Sequence, residues 1–249
     1  MDLNLVWLYP DILNLHGERG SVQAFQKVAN DIGINLNIVR IDDYSQKIDF
    51  KNTYIILCTP GELKVIPEIK TALETQKYEL QKYIEEKKHL IAIGTTGALL
   101  GQKILCENGN KMMGLGLIEM KAVERKNVIG DDLYFTISKT KQEIIGSQIQ
   151  MLDFYVDDAL ALGTINYGYG NNGKKYEGAR KDNIIFTNCL GPLFVKNPWW
   201  TEEILKEAYL NKTNKIYAKR EYDLENKSFE TTKRFIREKP KKIPLTFQI

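Results

Sequence analysis

Apolar residues along the first 200 positions follow two alternating spacings. Residues 3–9 (LNLVWLY), 35–41 (NLNIVRI), 53–58 (TYIILC) and 90–93 (LIAI) are short, nearly continuous apolar or β-branched runs, the pattern of buried strands. Between the first two, Val22, Phe25, Val28 and Ile32 recur at helical spacing over 20–32. A long helix is predicted from about Pro67 to Lys88, with the proline where a first turn tolerates it. Strand–helix alternation of this kind predicts βαβ units and a mainly parallel sheet. After Met113 the helical spacing stops. The runs 132–140, 143–152, 159–170 and 183–191 read as strands separated by turn residues, an antiparallel extension beside the parallel sheet. A short helix is predicted over 202–210, and a last one ending near Pro240, before an apolar IPLTFQI that can add as an edge strand.

Length and composition change this picture little. The 249 residues suffice for a full core, and 43% hydrophobic with 27% charged residues describes an ordinary globular chain. No apolar run is long enough to span a bilayer, and the start MDLNLVWLYP lacks the basic segment and cleavage site of a signal peptide. Three widely spaced cysteines, Cys58, Cys106 and Cys189, form neither a disulfide framework nor a CxxC pair. The expectation is a cytoplasmic protein with reduced thiols, no metal and no cofactor. Charge is more informative. Residues 212–249 hold eleven Lys/Arg against five Asp/Glu, a net +6 in a chain of net +3, so residues 1–211 carry −3. Two units follow: a domain over 1–211 and a basic C-terminal extension over 212–249. Phe229, Phe235 and Ile236 lie among Lys233, Arg234 and Arg237. With no nucleic-acid motif beside them, docking on a partner or on the acidic domain is favoured over nucleic acid.

Candidate chemistry begins at 89–102, HLIAIGTTGALLGQ. An apolar strand runs through a glycine turn into an apolar helix start, the shape of a nucleophile elbow at the carboxyl edge of a parallel sheet. The tip is Gly94, which offers no side chain.

LYPDILNLHGERG (8–20), LLG (99–101), GLG (114–116), YGYGNNGKKYEG (167–178) and GPLFVKNP (191–198) together resemble the class I glutamine amidotransferases of the cobyric acid synthase/GatD type. They fall in that family's order across roughly residues 3–210, leaving the tail uncovered. The resemblance implies a flavodoxin-like, three-layer α/β fold with a mixed, mainly parallel sheet. It also implies an elbow cysteine that attacks the side-chain amide of glutamine, a histidine base, an oxyanion loop, and a Mur-ligase-like partner that receives the ammonia in peptidoglycan precursor amidation. Carried over position by position, the cysteine position holds Gly94 and the histidine position in TNCLGP holds Leu190. The oxyanion loop corresponds to CTPGE (58–62), with a proline and Gly61, and an arginine position holds Asn127. The chain therefore reads as a pseudo-amidotransferase, a structural or regulatory subunit with its catalytic set missing. Two alternatives stand beside it: an active glutaminase with substitute residues, and a module whose vacated cleft, lined by Gly61, Thr95, Thr96 and Asn127, binds a small molecule.

The substitutes on offer are few. Thr95 and Thr96 would need a base. Cys58 and His16 both fall near the carboxyl edge, so a substitute pair is geometrically possible, although most lone cysteines are small buried hydrophobes. His89 starts the elbow strand at the opposite edge, where a surface role is expected. Cys189 should face away from Leu190's side of the chain. Asp11, Glu18 and Arg19 read as loop-fixing hydrogen bonds and a charge pair in preference to a site, and GYGNNG as a ligand cradle or a plain turn. Adjacent Trp199 and Trp200 offer one interface anchor or a staple onto Ile204 or Leu205, with Phe235 a third candidate for partner binding.

Overall fold

Residues 2–213, 220–239 and 245–248 are described by the computed structural model. In chain order the elements are β1 (Asp2–Leu8), α1 (Arg19–Asp31), β2 (Asn35–Ile41), β3 (Thr53–Cys58), α2 (Ile66–Glu74), α3 (Lys77–Glu85), β4 (His89–Ile93) and α4 (Gly97–Leu100). There follow β5 (Lys103–Leu105), β6 (Lys111–Met113), β7 (Met120–Ile137), β8 (Glu143–Val156), β9 (Gly163–Tyr167), β10 (Tyr176–Glu177), β11 (Ala179–Lys181) and β12 (Ile184–Thr187). The chain closes with α5 (Leu193–Lys196), α6 (Pro198–Thr213), α7 (Asp223–Glu238) and β13 (Leu245–Gln248).

The first six-stranded sheet has the order β11-β12-β4-β3-β1-β2, parallel except for β11. Its central strands are apolar on both faces because both faces are covered. Leu3, Leu5 and Trp7 of β1, with Ile55, Leu57, Ile91 and Ile93, face a core shared with α1, α5 and α6. The alternate residues Val6, Leu8, Ile56, Cys58, Leu90 and Ala92 face α2, α3 and α4. The period of two along each strand thus divides one sheet between two cores. This is the expected three-layer, mainly parallel α/β arrangement.

The second sheet is built on the long β7–β8 ribbon, paired antiparallel from Met120↔Val156 to Thr136↔Glu143, with β9, β5 and β13 also against β7. Two sequence expectations change here. The run 183–191 is expected in this extension, yet β12 joins the parallel sheet beside β4; its four residues are all buried, as a strand covered on both faces requires. The helix predicted from Pro67 to Lys88 is two helices, broken at Thr75 and Gln76. Gln76 is drawn inward there, its side-chain oxygen accepting the Ile48 N–H at 3.0 Å.

His89 is a third correction: it is fully buried, not at the surface. β4 lies between β3 and β12, and α6 covers its first residue, setting Glu207 at 3.5 Å from the imidazole. Glu203, Glu207, Arg180 and Lys139 converge on the same spot. The acid at Glu207 favours the imidazolium, but burial outweighs it and drives the His89 pKa down to about 4.

The described C-terminal residues pack against the rest of the chain, and α6 (Pro198–Thr213) runs across the boundary expected at 211. Trp199 sits edge-on to Phe229 and Tyr222, at 5.0 and 6.4 Å between ring centroids. Ile236 is buried with Tyr134 and Ile145, Lys233 pairs with Glu143, and Lys239 with Asp131 and Asp132. β13 adds antiparallel to β7, Leu245↔Gly130 through Gln248↔Asn127. Trp200 is wholly inside the first core, and a side chain so placed offers nothing to a partner; of the three proposed anchors only Phe235, 59% exposed, stays open. No helix among the described residues is long and apolar enough to cross a membrane.

Two outcomes follow. Trp199→Ala should cost about 2 kcal/mol, the loss of a half-buried aromatic, and hydrogen exchange should show α7 losing protection before β1, β3 and β4. Burial, with the Glu207 charge, lifts Glu203 from 4.5 to about 6. Its contribution to stability is complete below pH 4.5 and is lost as pH rises through about 6. Glu203→Gln should therefore raise Tm above the parent's at pH 7 and leave it unchanged at pH 4, read from melts across that range.

Candidate functional site

The elbow forms where β4 ends. Gly94 takes φ +63°, a left-handed conformation that glycine enters without strain, and a 3₁₀ turn over Gly94–Thr96 leads into α4. Thr96 fastens the turn: its hydroxyl oxygen accepts the Ile93 N–H at 3.2 Å and lies 2.9 and 3.0 Å from the carbonyls of Ile93 and Cys58. A hydroxyl so engaged and fully buried is part of the fold and is not free to react. Gly97 is a second fixed glycine, since a Cβ there would stand 2.1 Å from the Phe186 ring.

The atoms nearest the tip are carbon, with Thr95, Gln150 and Asn188 further round the small cavity beside it. An ideal Cβ on Gly94 would lie 3.2 Å from Leu190 Cδ2 and 3.4 Å from Pro60 Cβ. The position that the resemblance assigns to a base therefore does face the position that it assigns to a nucleophile, and a hydrocarbon contact joins them. Leu190 is pinned by a reciprocal backbone pair with Ser147 of β8, N–H to carbonyl at 2.8 and 3.0 Å. The strand comes this close because its neighbour is Gly146, where a Cβ would meet Cys189 Sγ at 2.4 Å. Ile149, Gln150, Met151 and Leu152 of β8 then cross the elbow and leave a cavity of about 10 Å³ beside Gly94 and Thr95, the room of roughly one water.

The loop over 58–62 is likewise spent on structure. The Thr59 hydroxyl donates to the Leu13 carbonyl at 2.5 Å, Leu15 N–H donates to the Pro60 carbonyl at 3.0 Å, and Gly61 lies so close to Leu13 that a Cβ would be 2.4 Å from its Cδ2. Asn127 lies in a bulge where the β7–β8 register slips between Glu124 and Ile129. It is not among the residues lining the Gly94 cavity. The bulge is held by Arg125, which donates to Asp153 at 2.8 Å and to the Tyr169 hydroxyl at 2.7 Å.

Cys58 and His16 form no dyad. Cys58 is fully buried in the core, and burial pushes its thiol up to about 12, so it stays protonated at neutral pH. His16 is exposed on the first loop, its pKa lowered by partial burial, with no hydrogen bond to Cys58. Cys189 points at Gly146, away from the tip, as strand alternation requires. Among the described residues no group of His, Cys, Asp and Glu side chains is arranged to hold a metal.

The family-like motifs turn out to be fasteners. Asp11 meets Arg19 at 3.6 Å and Arg40 at 3.2 Å, both cations lying over the Trp7 ring. Glu18 leaves that cluster: fully buried, it accepts from the N–H groups of Gly191 at 2.6 Å and Leu193 at 3.2 Å and from the Ser21 hydroxyl at 2.5 Å. Burial still raises its carboxyl above the ordinary range. In the glycine-rich loop, Asn171 accepts the Gly178 N–H at 2.7 Å and donates to its carbonyl at 2.8 Å. Glu177, also buried, accepts from the Thr187 hydroxyl at 2.7 Å and from Asn188 N–H at 2.6 Å. The amides of Tyr169 and Gly170 are taken by Gln148 at 3.1 Å, so the loop is no open cradle. Sequence reading found the motif but missed Thr187, Asn188 and Gln148. Polar residues inside otherwise apolar strand runs were the available signal.

No family model matches the chain. It is 27% identical over 208 residues to the GatD subunit of the glutamine-hydrolyzing lipid II isoglutaminyl synthase of Staphylococcus aureus (strain N315), covering 83% of this chain and 84% of that one. It is 28% identical over 203 residues to the same subunit from Streptococcus pneumoniae (strain ATCC BAA-255 / R6), covering 78% and 76%. Among solved structures, a glutamine amidotransferase superposes with a TM-score of 0.53 at 15% identity, covering 82% of this chain and 98% of that one, which speaks for the fold. Sequence and fold agree: over about four-fifths of its length this chain is similar to GatD subunits of lipid II isoglutaminyl synthase, and its fold is that of a glutamine amidotransferase.

Proposed function

We propose that the protein is a GatD-like pseudo-amidotransferase, a non-catalytic subunit that pairs with a Mur-ligase-like protein in peptidoglycan precursor amidation. One observation carries the proposal: where a reactive side chain would stand, Gly94 faces Leu190 and Pro60, with about 10 Å³ left unfilled. Nucleophilic attack on an amide needs a nucleophile, a base to accept its proton and space for the substrate; this position offers none of the three. The same closure weighs against the cleft as a ligand sensor, because a glutamine side chain does not fit one water's volume. The buried, protonated Cys58 weighs against substitute catalysis. The partner is inferred from the relatives, which are subunits of a synthase.

Glutamate release from glutamine should be absent both for the pure chain and for its complex with a co-expressed Mur-ligase-like protein, and the complex should be stable in gel filtration. Release above background in either state sinks the non-catalytic reading, and failure to form a complex sinks the partner. Gly94→Cys should lower stability by about 1–2 kcal/mol, the penalty of a side chain in a left-handed conformation. Its thiol, shielded by Leu190 and Pro60, should react with a disulfide reagent only as the protein unfolds.

A further inference from the structure

Away from the elbow, a groove of about 330 Å³ runs between α2 and α3 on one side and the loop over 114–117 on the other. Its bed is Leu73, Leu80, Ile84, Leu115, Leu117 and Ile184. Its walls are held apart by the fold. The loop is tied to α4 and the residue after it, Leu115 N–H donating to Leu99 at 2.7 Å, Gly116 to Gly101 at 2.9 Å and Leu117 to Leu100 at 2.9 Å. Gly114 packs so tightly that a Cβ would lie 2.2 Å from the Gly101 carbonyl. The GLG motif, unexplained by the elbow, therefore anchors one wall and keeps it from collapsing onto α3.

The rim carries uneven charge. Glu74 pairs with Lys70 at 2.6 Å and Asp182 with Lys87 at 2.7 Å, while Glu85 accepts from the Gln81 amide at 3.2 Å. Lys77 has no ion-pair partner among the described residues, and Lys181 donates only to the Leu117 carbonyl at 3.3 Å. Two lysines thus stand without a carboxylate, against one acid without a cation, above an apolar bed. A preformed cavity of this size, with an apolar bed and a charged rim, has the make-up of a site for a small amphipathic molecule.

We propose that this groove binds a small amphipathic carboxylate free in solution, its hydrocarbon on the leucine–isoleucine bed and its anionic head met by Lys77 and Lys181. The site is independent of the amidotransferase reading. Attraction at the rim is partly screened, so the hydrocarbon supplies most of the affinity and the lysines select the anion over a neutral head.

The test titrates the full chain with decanoate below its micelle concentration, following leucine and isoleucine methyl resonances. Saturable shifts confined to the groove are expected. Lys77→Glu combined with Lys181→Glu, both exposed positions, should weaken binding at least about tenfold with Tm unchanged. Gln81→Trp, filling the groove, should abolish it. Decanol should bind more weakly than decanoate. Non-saturating shifts, equal affinity in the charge-reversed variant, or decanol binding as tightly as decanoate would each overturn the proposal.

Discussion

Asn188, Cys189 and Leu190, in the stretch that joins β12 to α5, are buried, and a buried backbone outside regular structure needs partners for its N–H groups and carbonyls. Three anchors supply partners along it. Glu177 takes the Thr187 hydroxyl and Asn188 N–H, Ser147 exchanges both backbone bonds with Leu190, and Glu18 takes the N–H groups of Gly191 and Leu193. These come from the glycine-rich loop, the β7–β8 ribbon and the first βα loop. One short segment therefore holds the two sheets and the first loop in register, and the shape of the elbow region depends on it.

That dependence separates framework from reagent. Removing a carboxylate such as Glu18 or Glu177 would strand several buried donors at once, each costing about 1–3 kcal/mol. By contrast, Gly94, Leu190 and Pro60 meet through hydrocarbon alone, and an apolar contact in place of a polar pair is neutral or favourable to stability. The buried motifs are therefore constrained by the hydrogen bonds they make, and the tip of the elbow is not. The motifs report on packing, and the tip of the elbow reports on chemistry.

The basic extension is a second case of division of labour. Its ion pairs with Glu143, Asp131 and Asp132 are partly exposed, and such pairs contribute little individually. Trp199, Phe229, Tyr222 and Ile236 supply the buried surface, and the charges set where along the acidic β7–β8 ribbon the helix settles.

Residue pattern alone determined the parallel strands, the first helix, the glycine at the elbow tip and the opposite charge of domain and tail, because each is a local property: a spacing, a run, a missing side chain. It misplaced β12, the break at Gln76 and the burial of His89, since those depend on which neighbour covers a segment. Whether the cleft stood open was beyond its reach. That rested on Gly146 letting β8 approach Cys189, on Leu190 and Pro60 converging over Gly94, and on β8 crossing the elbow. These contacts join residues far apart in the chain, and only the packed tertiary structure sets the distances between them.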